Sequence, residues 1–455
     1  MRAASWAHRI GALAVVVAAA SAFSAMGGPD AAGDTVATRP PAAPVMRAIH
    51  LGFNPSAVLM DDATGRAFVV GDGRGVLALA VLDARTGRVV RTRSLGRSYL
   101  IPPGDGAPAA IDPRTGRVFL PTVTGKPAGD GDPATGPCVV RVLDGRTGAS
   151  LRTIPAGYAP VGVTLAARAR RLFLVNNART DALGRIIAPG GLRVIDIVTG
   201  RLMRTHPSDD GPPLAVDERT NRVFVGSSTG LDMLDAATGR VLARVPLGQA
   251  PDSGAAAATD LAVDERAGRV VVALSGSLGL TTGLVLDATT GRVLHRAASV
   301  GSGPLAADPA NGRAVSVDYP LSSTGGPVTA STFSTRDGHP VRTVTLDRLT
   351  SRGVAAAVAI DSQSGRAIVA REQVIGAIAR PFTPTLITVI DLHSGRAMRT
   401  FALDDQPPAA GFVLDDQPPG PVFGAPSVAI DGRGRRAFVT NYGAGTVSVL
   451  DTARL

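Results

Sequence analysis

Histidine is the side chain that most readily serves both general-base and metal chemistry near neutral pH, and five follow the amino-terminal segment. His50, His206 and His295 fall in or beside stretches that read as outermost strands, whereas His339 and His393 fall in turns. Placed in this way they do not converge, so no His-centred metal or acid–base site is expected. Ser/His/Asp and Cys/His arrangements lack support for the same reason. Carboxylates remain as catalytic candidates: Asp181, Asp318 and Glu372, with Arg179, Arg185 and Arg371 as anion binders. Asn176, Asn177, Tyr319, Asn441 and Tyr442 add hydrogen-bonding or stacking capacity. Each also has a plain role as loop structure; Asn441, for instance, can begin a turn leading into Gly443 and Gly445.

Other chemistry has weaker support. Asp130 and Asp132 in GDGDP, and the duplicated LDDQPP at 403–408 and 414–419, supply oxygens of the kind calcium takes, but neither completes a calcium-loop pattern. No metal and no cofactor is expected. Glycine-rich tracts such as GDGRG (71–75) connect strands with no following helix, so they are not phosphate-binding loops. The single cysteine, Cys138, excludes an intrachain disulfide framework and a Cys-based zinc site, and reads as a small buried hydrophobe at the start of a strand.

The elements that must position these residues emerge from an internal repeat. AVDERTNRVFV (215–225) recurs as LMDDATGRAFV (59–69), AIDPRTGRVFL (110–120), LAVDERAGRVVV (261–272), AADPANGRAVSV (306–317), AIDSQSGRAIV (359–369) and AIDGRGRRAFV (429–439), with a degenerate copy, TLAARARRLFL, at 164–174. The arginine opening the second strand falls at 66, 117, 171, 222, 269, 313, 366 and 436. A second turn follows within the unit, as in VLDARTGRVV (81–90) and VLDATTGRVL (285–294). In both turns Asp hydrogen-bonds the local backbone, and Gly, or Asn at 221, accepts the positive φ of a tight hairpin. The flanking runs are short and β-branched, so each unit predicts four antiparallel strands, A to D, and helices should be nearly absent.

Eight such units predict an all-β single β-propeller of eight four-stranded blades, with seven as the alternative if the sixth unit, whose second turn is STRDGH (334–339), is irregular. The last unit ends where its outermost strand should begin. Residues 45–52, VMRAIHLG, align with VLARVPLG (241–248), an outermost strand, and are expected to complete the carboxy-terminal blade and seal the ring. The A–B and C–D turns then share one face. The long, irregular B–C and D–A connections, including 121–137, 176–190, 318–327 and 371–384, share the other, which is the expected binding face.

AFVTNYGAGTVSVLD (437–451) resembles the YVTN-type β-propeller repeat, with FVTN at 438–441 matching the tetrapeptide; other units depart from it, reading FLVN at 173–176 and FVGS at 224–227. The resemblance covers about residues 45–455 and implies the propeller fold. It implies little about activity, because such propellers include cell-surface proteins, lactonase-like proteins and heavy chains of amine dehydrogenases. No catalytic motif carries over residue by residue.

Residues 1–25 read as a secretory signal peptide, with the apolar run IGALAVVVAAA (10–20) too short to span a bilayer, and 26–44 as a flexible linker to the propeller at 45–455. An uncleaved amino-terminal anchor is the alternative. The net charge of +10 comes from arginines spread along the whole chain, a distribution that by itself argues against a concentrated anion-binding patch. The expectation is a secreted or periplasmic monomer that binds a protein, glycan or small molecule through its long-loop face. Nucleic acid and a transmembrane domain in the mature chain are not expected. A lactonase-like hydrolase or a dehydrogenase heavy-chain subunit is the alternative.

Overall fold

A computed structural model describes residues 45–73, 76–96, 98–99, 109–124, 137–158, 160–180, 185–207, 213–227, 230–248, 256–276, 281–298, 300–319, 326–349, 354–373, 385–403, 426–433 and 435–455. The readings for 1–44, Asp130, Asp132 and Asp181, and the duplicated LDDQPP beyond Leu403, fall outside these residues.

Each repeat folds as an antiparallel sheet in sequential order. In blade 1 the strands are Asn54–Asp61, Arg66–Gly73, Val76–Asp83 and Arg88–Gly96, from the axis outward. Seven sheets follow around the ring, and among the described residues there is no helix. The sixth repeat is regular, with Leu305–Asp308, Arg313–Asp318, Gly326–Ser334 and Pro340–Leu349 in order, so the count is eight. Blade 2 adds a short segment, Ser98–Tyr99, that pairs the far end of its B strand beyond the three-residue A strand Ala110–Asp112.

Closure follows the expected route. Val45–His50 pairs Thr446–Asp451, placing Ile49 against Val447 and Ala48 against Ser448, so the amino-terminal strand becomes strand D of blade 8. Innermost strands touch in succession from blade 1 to blade 8 and back to blade 1.

Apolar side chains collect between blades, in eight clusters for eight seams. The repeated Arg-x-Phe explains much of this. Phe68, Phe119, Phe173, Phe224 and Phe438 are fully buried on B strands, each in the seam toward the following blade. Burying each such ring stabilises the fold by about 1.5–3 kcal/mol before entropy is counted. Glycine at the C–D turn closes the seam from the other side. Gly239 (φ 68°) lies so near blade 3 that a Cβ would meet Val194 at 2.7 Å. Gly338 (φ 71°) would likewise meet Ala297 of blade 5 at 2.7 Å. Only glycine satisfies both the left-handed backbone and the close approach.

Candidate functional site

The two ends of the strands use their polar residues differently. At the short-turn end, Asp61, Asp112, Asp217, Asp264, Asp308, Asp361 and Asp431 are buried at the close of the A strands. Asp112, for example, accepts the Arg114 amide at 3.0 Å and the Thr115 hydroxyl at 2.6 Å. Blade 3, the degenerate copy, has Ala166 here, and Glu218 of blade 4 supplies the missing carboxylate by accepting from the amides of Ala167 and Arg168. Glu265 of blade 5 accepts from the Glu218 amide at 2.9 Å. Arginines continue the chain of contacts: Arg114, Arg168, Arg219 and Arg266 each donate to a backbone carbonyl of the next blade's A–B turn.

Four of the arginines that open B strands pair with the aspartate that ends strand C, in Arg66–Asp83 (2.5 Å), Arg171–Asp196 (2.6 Å), Arg222–Asp235 (3.7 Å) and Arg269–Asp287 (3.4 Å), whereas Arg366 and Arg436 donate to the Thr452 and Ala84 carbonyls of the following blade. Hydrogen bonds from the Thr147 and Ser394 hydroxyls hold the Asp144 and Asp391 carboxyls below the ordinary carboxylate range. Burial pushes the Asp62 carboxyl the other way. Charge at this end therefore serves turns and joints.

At the long-loop end, Asn176, Asp318 and Asn441 are the last residues of their B strands. Asn176 is buried and donates to the carbonyls of Ala156 and Tyr158 at the end of blade 2. Asp318 accepts from the Ser302 amide at 3.2 Å and from the Thr281 hydroxyl at 3.3 Å, tying blade 6 to blade 5. Tyr319 packs in the seam between blades 6 and 7 and lies against Gly303, whose added Cβ would be 2.6 Å from the ring. Asn441 donates to the Thr446 and Ser448 hydroxyls, and Tyr442 opens the four-residue turn expected from its glycines. Asn177 follows the blade 3 B strand, and Arg179 begins a two-stranded extension in which it pairs Ala188.

Arg371 and Glu372, expected in a loop, are strand residues: Arg366–Gln373 pairs both against Ala356 and Ala355 of strand A. The alternation AIVAREQ continues the ladder past the point where apolar character ends. Arg371 is 5% exposed, and Asp347 of blade 6 pairs with it at 4.0 Å. Desolvation lowers its pKa, opposed by Asp347. Among the described residues its Nε and Nη1 find no hydrogen-bond partner, nor do the Oδ1 atoms of Asn176 and Asn441.

The sequence candidates thus do not gather at one point. Asn176 belongs to blade 3, and Arg371 to blade 7, four blades around an eight-blade ring. The histidines stay apart as expected, with His50, His206 and His295 on outermost strands. Two acidic residues were missed. Asp347 sits on an outermost strand, and Asp260 in strand A of blade 5 accepts from the amides of Leu261 (2.7 Å) and Leu305 (2.8 Å). A charge inside the otherwise uncharged ATDLAV was the available signal for the second. A cleft of about 310 Å³ also opens between blades 3 and 4, lined by His206, Pro207, Gly226, Ser227, Asp232 and Arg244 among others.

No family model and no curated protein matches the sequence. The chain is similar in structure to BamB from Moraxella catarrhalis, at 14% identity, covering 90% of this chain and 99% of that one with a TM-score of 0.55. It also aligns with Kuenenia stuttgartiensis hydrazine synthase at 12% identity, over 89% of this chain and 97% of that one, with a TM-score of 0.47. The first likeness supports the fold, a β-propeller.

Proposed function

We propose that this chain is an exported binding scaffold of the YVTN type whose long-loop face receives an anionic group of its ligand or partner at the seam between blades 6 and 7. The observation that carries this reading is the guanidinium of Arg371, buried with two nitrogens unmet among the described residues while the carboxylate of Asp347 is 4.0 Å away. A buried cation without full compensation costs stability, and a planar fork of donors suits a carboxylate or phosphate. The segments at 1–25 and 26–44 act as signal peptide and linker in this reading, which puts the propeller in the periplasm or outside the cell.

The test pairs stability with binding. Arg371→Met keeps an unbranched apolar stem and removes the charge, so stability should hold or rise, by up to about 1 kcal/mol. The thermal shift given by millimolar citrate or inorganic phosphate should disappear in the same variant. A variant that melts much earlier, or a wild-type protein indifferent to both anions, would reject the site.

A further inference from the structure

Dispersed arginines in the sequence become one surface in the ring. The eight outermost strands are Val45–His50, Arg88–Gly96, Ser150–Tyr158, Leu202–Pro207, Val241–Pro246, Val293–Ala297, Pro340–Leu349 and Ala397–Ala402. They hold eleven arginines and one acidic residue, Asp347, a net +10 that equals the formal net charge of the entire chain. All other positions together therefore sum to zero.

Every one of these strands also breaks register at the same place. One residue is bulged out near its start, namely Met46, Val90, Leu151, Met203, Leu242, Leu294, Val341 and Met398. In six blades the next residue is arginine: Arg47, Arg91, Arg152, Arg204, Arg342 and Arg399. Blades 4 and 5 carry theirs one position later, at Arg244 and Arg296. A bulge re-aims the side chains beside it and blunts an edge against pairing with another strand. Edge protection alone accounts for the bulge and the charge. It does not account for the aliphatic doublet partner, since Met46, Val90, Leu151, Met203, Leu242 and Met398 are all 44–52% exposed.

We infer that the rim of the disc is a second binding surface, distinct from the long-loop face, for a carboxylated polysaccharide that follows the circumference. Arg93, Arg152 and Arg296 donate to carbonyls of the neighbouring blade and Arg244 pairs with Asp232, which leaves Arg47, Arg91, Arg204 and Arg342 as forks for carboxylates, and the aliphatic side chains beside them suit the C–H faces of sugar rings. A belt that encircles a disc presents few blades at once to a flat bilayer, whereas a linear polymer can follow it. Aromatic platforms for nucleic-acid bases are scarce here, with Tyr158 exposed and Phe401 buried. Backbone pairing with a protein strand is opposed by the bulges.

The full chain should bind polygalacturonate, and binding should weaken steeply as salt rises. Replacing three exposed belt residues, Arg91→Glu, Arg204→Glu and Arg342→Glu together, should weaken it at least about tenfold with an unchanged melting curve. The same charge change on the C–D turns, Arg85→Glu, Arg146→Glu and Arg336→Glu, should weaken it far less. Absence of binding at low salt, or equal loss in the two triple variants, would overturn the inference. So would tighter binding to phosphatidylglycerol vesicles or to oligo(dT) than to polygalacturonate.

Discussion

The two ends of the same strands differ in what their polar groups do. At the short-turn end, Asp112, Asp217 and their counterparts cap amides, Glu218 and Glu265 reach across seams, and arginines tie each turn to the next. At the long-loop end Asn176 and Asp318 brace neighbours, but Arg371 is buried with its donors partly idle. A ring of repeats is joined by the same kind of contact at successive seams, so the joints vary around one pattern; the opposite ends carry no such demand and can be varied for a ligand.

The strongest way to break this comparison is to break the ring. Deleting residues 45–52 leaves Thr446–Asp451 as an open edge and strips Ile49 and Leu51 from the seam of blades 8 and 1. Aggregation or a large fall in melting temperature is expected in calorimetry, and an unchanged curve would reject closure by this strand.

A single joint should matter next most. Gly338→Ala places a Cβ 2.7 Å from that of Ala297 at φ 71°, and a loss of about 1–3 kcal/mol is expected in denaturant unfolding. Ile186→Ala, in the two-stranded extension at the opposite end and 67% exposed, should stay within about 0.5 kcal/mol of wild type. Equal effects would erase the distinction between joint and free end.

Removing the borrowed carboxylate sharpens the same point. Glu218→Ala leaves the amides of Ala167 and Arg168 without their acceptor, which should cost about 1–2 kcal/mol, measured by the same unfolding. If the loss is rescued by Ala166→Asp, the ordinary turn of the other blades has been restored in blade 3.

How much of this was legible follows from periodicity. A turn of Asp, Thr and Gly repeated at every blade fixes hairpins locally, so strand order, blade count and the closing strand could be read from residues alone. Contacts that cross seams have no local signature. Glu218 looks like any turn acid in AVDERTNR, and nothing near Ala166 says that an acid 51 positions beyond Ala167 replaces the missing carboxylate. The irregular run 371–384 reads as a loop from its first residue, whereas Arg371 belongs to a strand fixed by its pairing with Ala356. The arginines are dispersed along the sequence and so read as no concentrated patch; only the fold brings them to the outermost strands of successive blades.

The smallest effect concerns pH. Thr147 and its amide favour the ionised form of Asp144, so the carboxyl titrates lower in the folded chain than in the unfolded one. A depressed folded pKa gives stability that is complete above the unfolded value near 3.9 and disappears as pH falls through the folded value. Because Asp144 lies at an exposed turn, solvent screening limits its share to no more than about 0.5 kcal/mol. Asp144→Asn should therefore melt slightly earlier than wild type at pH 7, and the two curves should converge once the wild-type carboxyl is protonated as well. A gap that persists unchanged at the lowest pH would assign the turn's stability to its geometry and not to its charge. The short-turn end would then be a joint built from backbone shape, with the aspartates as its hydrogen-bonding residues alone.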